Sequence, residues 1–92
     1  MPQRGPLMSA QANISEVAES RSWRLAERSE RTGTLGALDQ WDKDGNSVRV
    51  FYSARGAVRT GWVREGNQDF VRINGQHKEE KIIRYLKTGF LS

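Results

Sequence analysis

The chain has 92 residues, with 15 basic and 11 acidic side chains, a formal net charge of +4 and no cysteine. A chain of this length forms one domain and buries only a little over ~60% of its unfolded surface, so we expect modest stability unless it oligomerises. The lack of cysteine excludes disulfides, thiolate metal sites and cysteine nucleophiles, and it suits a reducing compartment.

The sequence also contains no apolar run near the roughly 18 residues that a membrane span requires. Its first residues lack the apolar stretch of a secretory signal peptide. We therefore expect a cytoplasmic protein with no membrane partner.

Arginine dominates the basic residues, with eleven arginines and four lysines. The planar guanidinium pairs with phosphate through two hydrogen bonds and stacks on bases, so this bias favours a nucleic-acid partner. Arginine is also abundant in proteins encoded by GC-rich genomes, so composition alone does not decide between the two explanations.

The N-terminal residues differ in composition from the rest of the chain. Residues 1–20 hold both prolines and many Ser, Ala, Gln and Asn residues. Only Ile14, Val17 and Ala18 have helical spacing, which is enough for one or two weak turns. We expect a flexible N-terminal arm over residues 1–20 and a single folded domain over residues 21–92.

From residue 22 onward, turn signals that contain glycine separate short β-favouring stretches, a spacing typical of an antiparallel meander. The strongest signal is Asp44-Gly45, because this pair accepts the positive φ angles of a two-residue hairpin turn. Arg55-Gly56 and Gly66-Asn67 mark two further turns. The predicted strands cover residues 23–28, 35–41, 48–54, 58–64 and 70–73.

After Gly75 the period of the apolar residues changes from two to about 3.6. Within residues 76–88, Ile82, Ile83 and Leu86 form one apolar stripe. These elements predict a mainly β, α+β fold, in which a five-stranded antiparallel meander, as a curled sheet or partial barrel, precedes a C-terminal helix.

Two-residue turns at all three positions would fix the strand register and sort the side chains into two faces. One predicted face carries Trp41, Val48, Val50, Tyr52, Val63 and Phe70, with Arg59 and Arg72. The other carries Leu38, Phe51, Val58, Trp62, Val71 and Ile73, with Arg49 and Arg64. Both faces are apolar and one short helix cannot cover both, so we expect either a sheet that curls around its own core or a homodimer. A bulge at Gly61 would change this sorting.

Catalytic and metal-binding patterns are sparse in this sequence. The single histidine, His77, lies in the first turn of the predicted helix, where an exposed polar residue is the ordinary explanation. Residues 42–46 resemble the start of a calcium loop, but Ser53 stands where the bidentate glutamate belongs. The sequence has no nucleophile elbow, Walker loop or set of zinc ligands. We expect no enzymatic activity, no metal and no cofactor.

A basic and aromatic stretch lies between residues 48 and 64, with four arginines, three aromatic residues and no acid. In proteins that bind single strands, arginines follow the phosphates while bases stack on rings; alternatively, a β-ribbon enters the major groove of a duplex. The competing interpretation is that the rings form the core and the arginines are merely solvated. The predicted nucleic-acid-binding residues are Arg49, Tyr52, Arg55, Arg59, Trp62, Arg64 and Arg72.

Two functions therefore remain open at this point. The first is a small, non-catalytic DNA- or RNA-binding domain. The alternative is a protein-interaction or assembly module, a dimer in its simplest form, that uses the second apolar face of the sheet.

Overall fold

The structure is a computed structural model and describes residues 9–29 and 36–89. Its elements are α1 (Ala10–Ser20), β1 (Arg24–Ser29), β2 (Leu38–Lys43), β3 (Asn46–Tyr52), β4 (Val58–Glu65), β5 (Val71–Ile73) and α2 (Lys78–Thr88). The strands lie in the order β1-β2-β3-β4-β5, so each pairs with its neighbour in sequence, and all pairs are antiparallel. The sheet is not closed into a barrel. The predicted five-stranded meander with a C-terminal helix is confirmed, while the predicted start of the second strand at residue 35 lies outside the described residues.

Helix α1 occupies most of the segment in which we expected a flexible arm. Ser9 caps it, since the Ser9 hydroxyl accepts a hydrogen bond from the Ala12 amide at 3.1 Å. Ala10, Ile14 and Ala18 recur every four residues and are buried in the core. For residues 10–20 the prediction of a loose arm is therefore wrong, because this narrow stripe packs against the rest of the protein. Residues 1–8 lie outside the described residues.

Helix α2 packs beside α1 on the same side of the sheet. It buries Ile82, Tyr85 and Leu86, and it is capped after Thr88 by Gly89, which adopts the left-handed conformation with φ of 80°. Trp23 joins the two helices, because its indole Nε1 donates a hydrogen bond to the Leu86 carbonyl at 3.0 Å. Neither helix in the described part of the chain is long and apolar enough to cross a membrane.

The β2–β3 hairpin has the predicted two-residue turn. Asp44 and Gly45 have φ angles of 53° and 85°, as a tight hairpin turn requires, and Trp41 pairs with Val48. The shared face of Trp41, Val48, Val50, Tyr52 and Val63 is thereby confirmed, and all five side chains are buried.

The β3–β4 hairpin contains a bulge that the predicted register lacks. Phe51 pairs with Thr60 but Tyr52 pairs with Val58, so Arg59 is the extra residue of β4. Val58 consequently packs against the core, and the Arg59 guanidinium lies over the Phe51 ring on the opposite face. The predicted faces of Val58 and Arg59 are wrong for this reason.

The connection between β4 and β5 is longer than the predicted turn at Gly66-Asn67. It spans residues 66–70, and Val63 pairs with Val71 rather than with Phe70. Because successive side chains of a strand alternate between faces, this slip of one residue moves every β5 side chain to the other face. Ile73 is buried in the core, whereas Arg72 lies on the opposite face. The predicted faces of Phe70, Val71, Arg72 and Ile73 are therefore wrong.

Both helices lie on one face of the sheet, which we call the covered face; the other is the open face. Gly61 allows α2 to approach the covered face closely, because a Cβ atom at this position would lie 2.9 Å from Ile82 Cδ1. Within residues 9–29 and 36–89, no helix lies on the open face, and the described side chains of that face pack against one another.

A buried carboxylate fastens α1 to the sheet. Asp39 of β2 has no exposed surface, and Arg28 of β1 donates to both of its oxygens, at 2.8 Å from Nε and 3.0 Å from Nη2. Gln11 of α1 donates a third hydrogen bond at 3.1 Å. The hydrogen bond to Asp39 raises the pKa of Arg28, so the guanidinium stays charged. A carboxylate is stable in the interior only with such partners, and these partners join α1, β1 and β2.

We expect Ile14→Ala to reduce the free energy of unfolding by about 2–5 kcal/mol, because it removes a fully buried side chain from the contact between α1 and the core. Glu16→Ala, on the exposed side of the same helix, should change it by less than about 0.5 kcal/mol. Urea denaturation of both variants measures the difference. Equal stabilities of the two variants would contradict the packing of α1.

Candidate nucleic-acid interface

The centre of the open face is a shallow apolar depression of about 330 Å³. It is lined by half-buried side chains from β2, β3, β4 and the β4–β5 connection: Leu38, Arg49, Phe51, Trp62 and Phe70. Cross-strand pairing places these groups side by side, because Leu38 is opposite Phe51 and Arg49 is opposite Trp62. The predicted shared face of Leu38, Phe51, Trp62, Arg49 and Arg64 is confirmed.

Two guanidinium groups lie against a single ring at this site. The Cζ atom of Arg49 is 4.5 Å from the centroid of Phe70, and the Cζ atom of Arg64 is 4.7 Å from it. A third guanidinium, that of Arg59, lies 5.8 Å from the Phe51 centroid. At these distances the cations are attracted to the electron-rich ring faces, so the rings hold the charged groups at the surface of the sheet.

A chain of hydrogen bonds holds Arg49 from the side away from Phe70. Its Nε and Nη2 donate to the side-chain amide oxygen Oε1 of Gln40 at 3.2 and 2.8 Å. Gln40 in turn donates to Asp42 at 3.1 Å, and Ser47 donates to the same carboxylate oxygen at 2.8 Å. Arg49 is thus ordered between an amide and a ring.

The charges on the open face are unevenly distributed. The side chains that β3, β4 and β5 present there, all of them described, include Arg49, Arg59, Arg64 and Arg72 and no carboxylate. Among the described strand residues, the acidic side chains of this face are Glu27 of β1 and Asp42 of β2; Asp42 is paired with Arg24 at 3.7 Å and borders a surface pocket together with Arg64. The β3–β5 half of the open face is therefore strongly positive.

The structure brings together five of the predicted site residues and separates two. Arg49, Arg59, Trp62, Arg64 and Arg72 share the open face. Arg55 is exposed in the turn after β3 and does not line the depression.

Tyr52 is on the covered face with 1% of its surface exposed, so its ring is inaccessible to a base. Burial raises the pKa of the Tyr52 hydroxyl, and the nearby Asp39 carboxylate raises it further. The prediction that Tyr52 stacks on a ligand is incompatible with this position.

Sequence reasoning missed Phe70 and Gln40 as parts of the site. A two-residue turn at Gly66-Asn67 would pair Val63 with Phe70 and place Phe70 on the other face, whereas the observed connection over residues 66–70 pairs Val63 with Val71. The alternation of β5 offered a signal, since Ile73 in the core requires Arg72 on the opposite face, and burying the isoleucine rather than the arginine is favourable. No local sequence pattern points to Gln40, because it holds Arg49 through a hydrogen bond between β2 and β3.

Comparisons with models of protein families, with curated proteins and with solved structures found no match to this chain. Within residues 9–29 and 36–89, no cluster of three or more His, Cys, Asp or Glu side chains could hold a metal ion.

We expect Phe70→Leu to lower the free energy of unfolding by about 1–2 kcal/mol, because leucine keeps apolar contact but removes two cation–π interactions of roughly 0.5–1 kcal/mol each. In an Arg64→Gln background the same change should cost less, and a double-mutant cycle in urea measures that coupling. Phe51→Leu is the matched control, since among the described residues a single, more distant guanidinium faces that ring. A coupling of zero between Phe70 and Arg64 would contradict the contact.

Proposed function

We propose that this protein is a small, non-catalytic nucleic-acid-binding domain that uses the open face of its sheet. The observation that supports this proposal is the set of four arginines on the β3–β5 half of that face, without any carboxylate among them. Nucleic-acid backbones are bound chiefly by such clusters of cations, because each phosphate contact releases condensed counterions.

The guanidinium groups are held in fixed positions before any ligand binds, which also supports phosphate binding. Arg49 and Arg64 are already held against Phe70, and Arg49 is held by Gln40 as well. A side chain that is ordered before binding loses less conformational entropy when a ligand arrives. The flat guanidinium can then offer two parallel N–H groups to one phosphate.

The second candidate is an interaction of the open face with another protein, in its simplest form a second copy of this chain. The apolar lining of the depression favours it, since exposed apolar patches commonly mark protein interfaces. Two copies that met about a twofold axis through the depression would, however, bring Arg49 and Arg64 of each copy close to those of the other. Such a dimer would bring like charges together and remove the water around them, which is unfavourable. We therefore favour nucleic acid as the partner.

The salt dependence of binding tests the proposed function. If the four arginines each contact one phosphate, the slope of log affinity against log salt should be about −3 on single strands and about −3.6 on duplex DNA. Arg64→Gln should make the slope on single strands shallower by about 0.7. Titrations of a labelled oligonucleotide by fluorescence anisotropy at several salt concentrations give this slope.

Lys87→Gln is the matched control for that experiment, because it removes the same charge from an exposed position on α2, on the opposite side of the sheet. It should leave the slope unchanged. Equal effects of Arg64→Gln and Lys87→Gln would indicate diffuse charge attraction without a site. A lack of binding at about 100 mM salt, together with a dimer in light scattering, would favour the protein-interaction function.

A further inference from the structure

The width of the open face limits which nucleic acids its rings can reach. Neighbouring strands lie about 4.8 Å apart, so the two outer strands of the five-stranded sheet are roughly 19 Å from each other. The major groove of B-form DNA is only about 12 Å wide. The face is therefore too broad to enter the groove, and a duplex resting on it would offer phosphates while its bases stayed stacked inside.

The depression at the centre of the face has the size and lining for a planar group. Its volume of about 330 Å³ lies at the small end of the range for ligand pockets, roughly 300–1,000 Å³. Two guanidiniums already lie against Phe70 and one lies over Phe51, so Trp62 is the ring on which an incoming group can stack. A nucleobase is the planar group that a nucleic acid supplies, and its faces are accessible where the strand is unpaired.

Cations flank the same depression. Arg49 lines it, opposite Trp62 in the neighbouring strand, and Arg64 lies two residues along β4 from Trp62 on the same face. A base that stacks on Trp62 thus brings the phosphates on either side of it toward these two guanidiniums. Stacking and phosphate contact are compatible within one short stretch of strand.

We propose that the open face selects unpaired strands, with one base in the depression against Trp62 and the adjacent phosphates on Arg49 and Arg64. This inference rests on the proposed function and adds the class of nucleic acid to it. A ligand that lacks accessible bases keeps the phosphate contacts and loses the stacking.

Three probes test this selection with the unaltered protein at about 100 mM salt. They are an unpaired oligonucleotide of about ten residues, the same strand annealed to its complement, and a strand of equal length in which abasic sites replace the bases. The unpaired strand should bind about 5- to 150-fold more tightly than the other two, which corresponds to one stacked base. Equal affinities, or tighter binding of the duplex, would overturn the selection of unpaired strands and leave the proposed function intact. No binding of any probe would overturn both.

Two substitutions of Trp62 locate the stacking. Trp62→Leu keeps an apolar side chain in the half-buried position but removes the ring, so the unpaired strand should bind no better than the abasic strand. Trp62→Phe restores a ring and should recover most of the difference. The abasic strand should bind the wild type and both variants equally, provided that circular dichroism shows each variant folded.

If folded Trp62→Leu still prefers the unpaired strand as strongly as the wild type does, Trp62 is not the stacking ring and the inference fails. If that variant does not fold, the comparison of the three probes on the wild type still tests whether the protein selects unpaired strands.

Discussion

Both helices pack on the same face of the five-stranded sheet, and the remaining features of the molecule depend on this one-sided arrangement. The covered face buries Trp41, Val48 and Val50, together with the buried stripes of α1 and α2. An antiparallel sheet that is covered on one side usually presents polar side chains to water on the other. Here the uncovered side instead presents Leu38, Phe51, Trp62 and Phe70 beside a group of arginines. Apolar surface left exposed in this way commonly marks a binding site.

The arginines and the rings of the open face stabilise each other. A guanidinium over a ring covers part of its apolar surface while the charge remains in contact with water, as long cationic side chains commonly do. Phe70 therefore positions Arg49 and Arg64, and in the proposed site Trp62 is left as the ring on which a ligand would stack. Because the guanidiniums cover the rings while their charges stay in water, a surface with four large apolar side chains can remain strongly positive.

Helix α1 determines how much of the sheet the helices cover. Helix α2 packs on β4 and β5, whereas the hydrogen bonds from Gln11 to Asp39 and from Arg28 to Ser15 and Asp39 place α1 near β1 and β2. Asp39 would be costly in the interior without these partners, so its burial requires α1 and β1 in their observed positions. The N-terminal helix is thus part of the folded unit, and the covered face depends on it.

The sequence by itself determined the strand order, the C-terminal helix and part of the open face. These depend on local patterns: the Asp44-Gly45 turn accepts positive φ angles, alternation relates Phe51 to Arg49, and a period of 3.6 marks α2. The site residues Arg49, Trp62 and Arg64 could be placed together for the same reason.

Only the tertiary structure decided the faces of Arg59 and β5, the burial of Tyr52 and the packing of α1. The local sequence around these two hairpins is compatible with regular two-residue turns. The bulge at Arg59 and the longer connection over residues 66–70 are favoured instead because they bring Val58 and Ile73 into the core. The apolar stripe of α1 consists of two alanines and one isoleucine, too little to indicate a buried helix in the sequence. Its burial comes from contacts with residues far along the chain, and no local pattern carries that information.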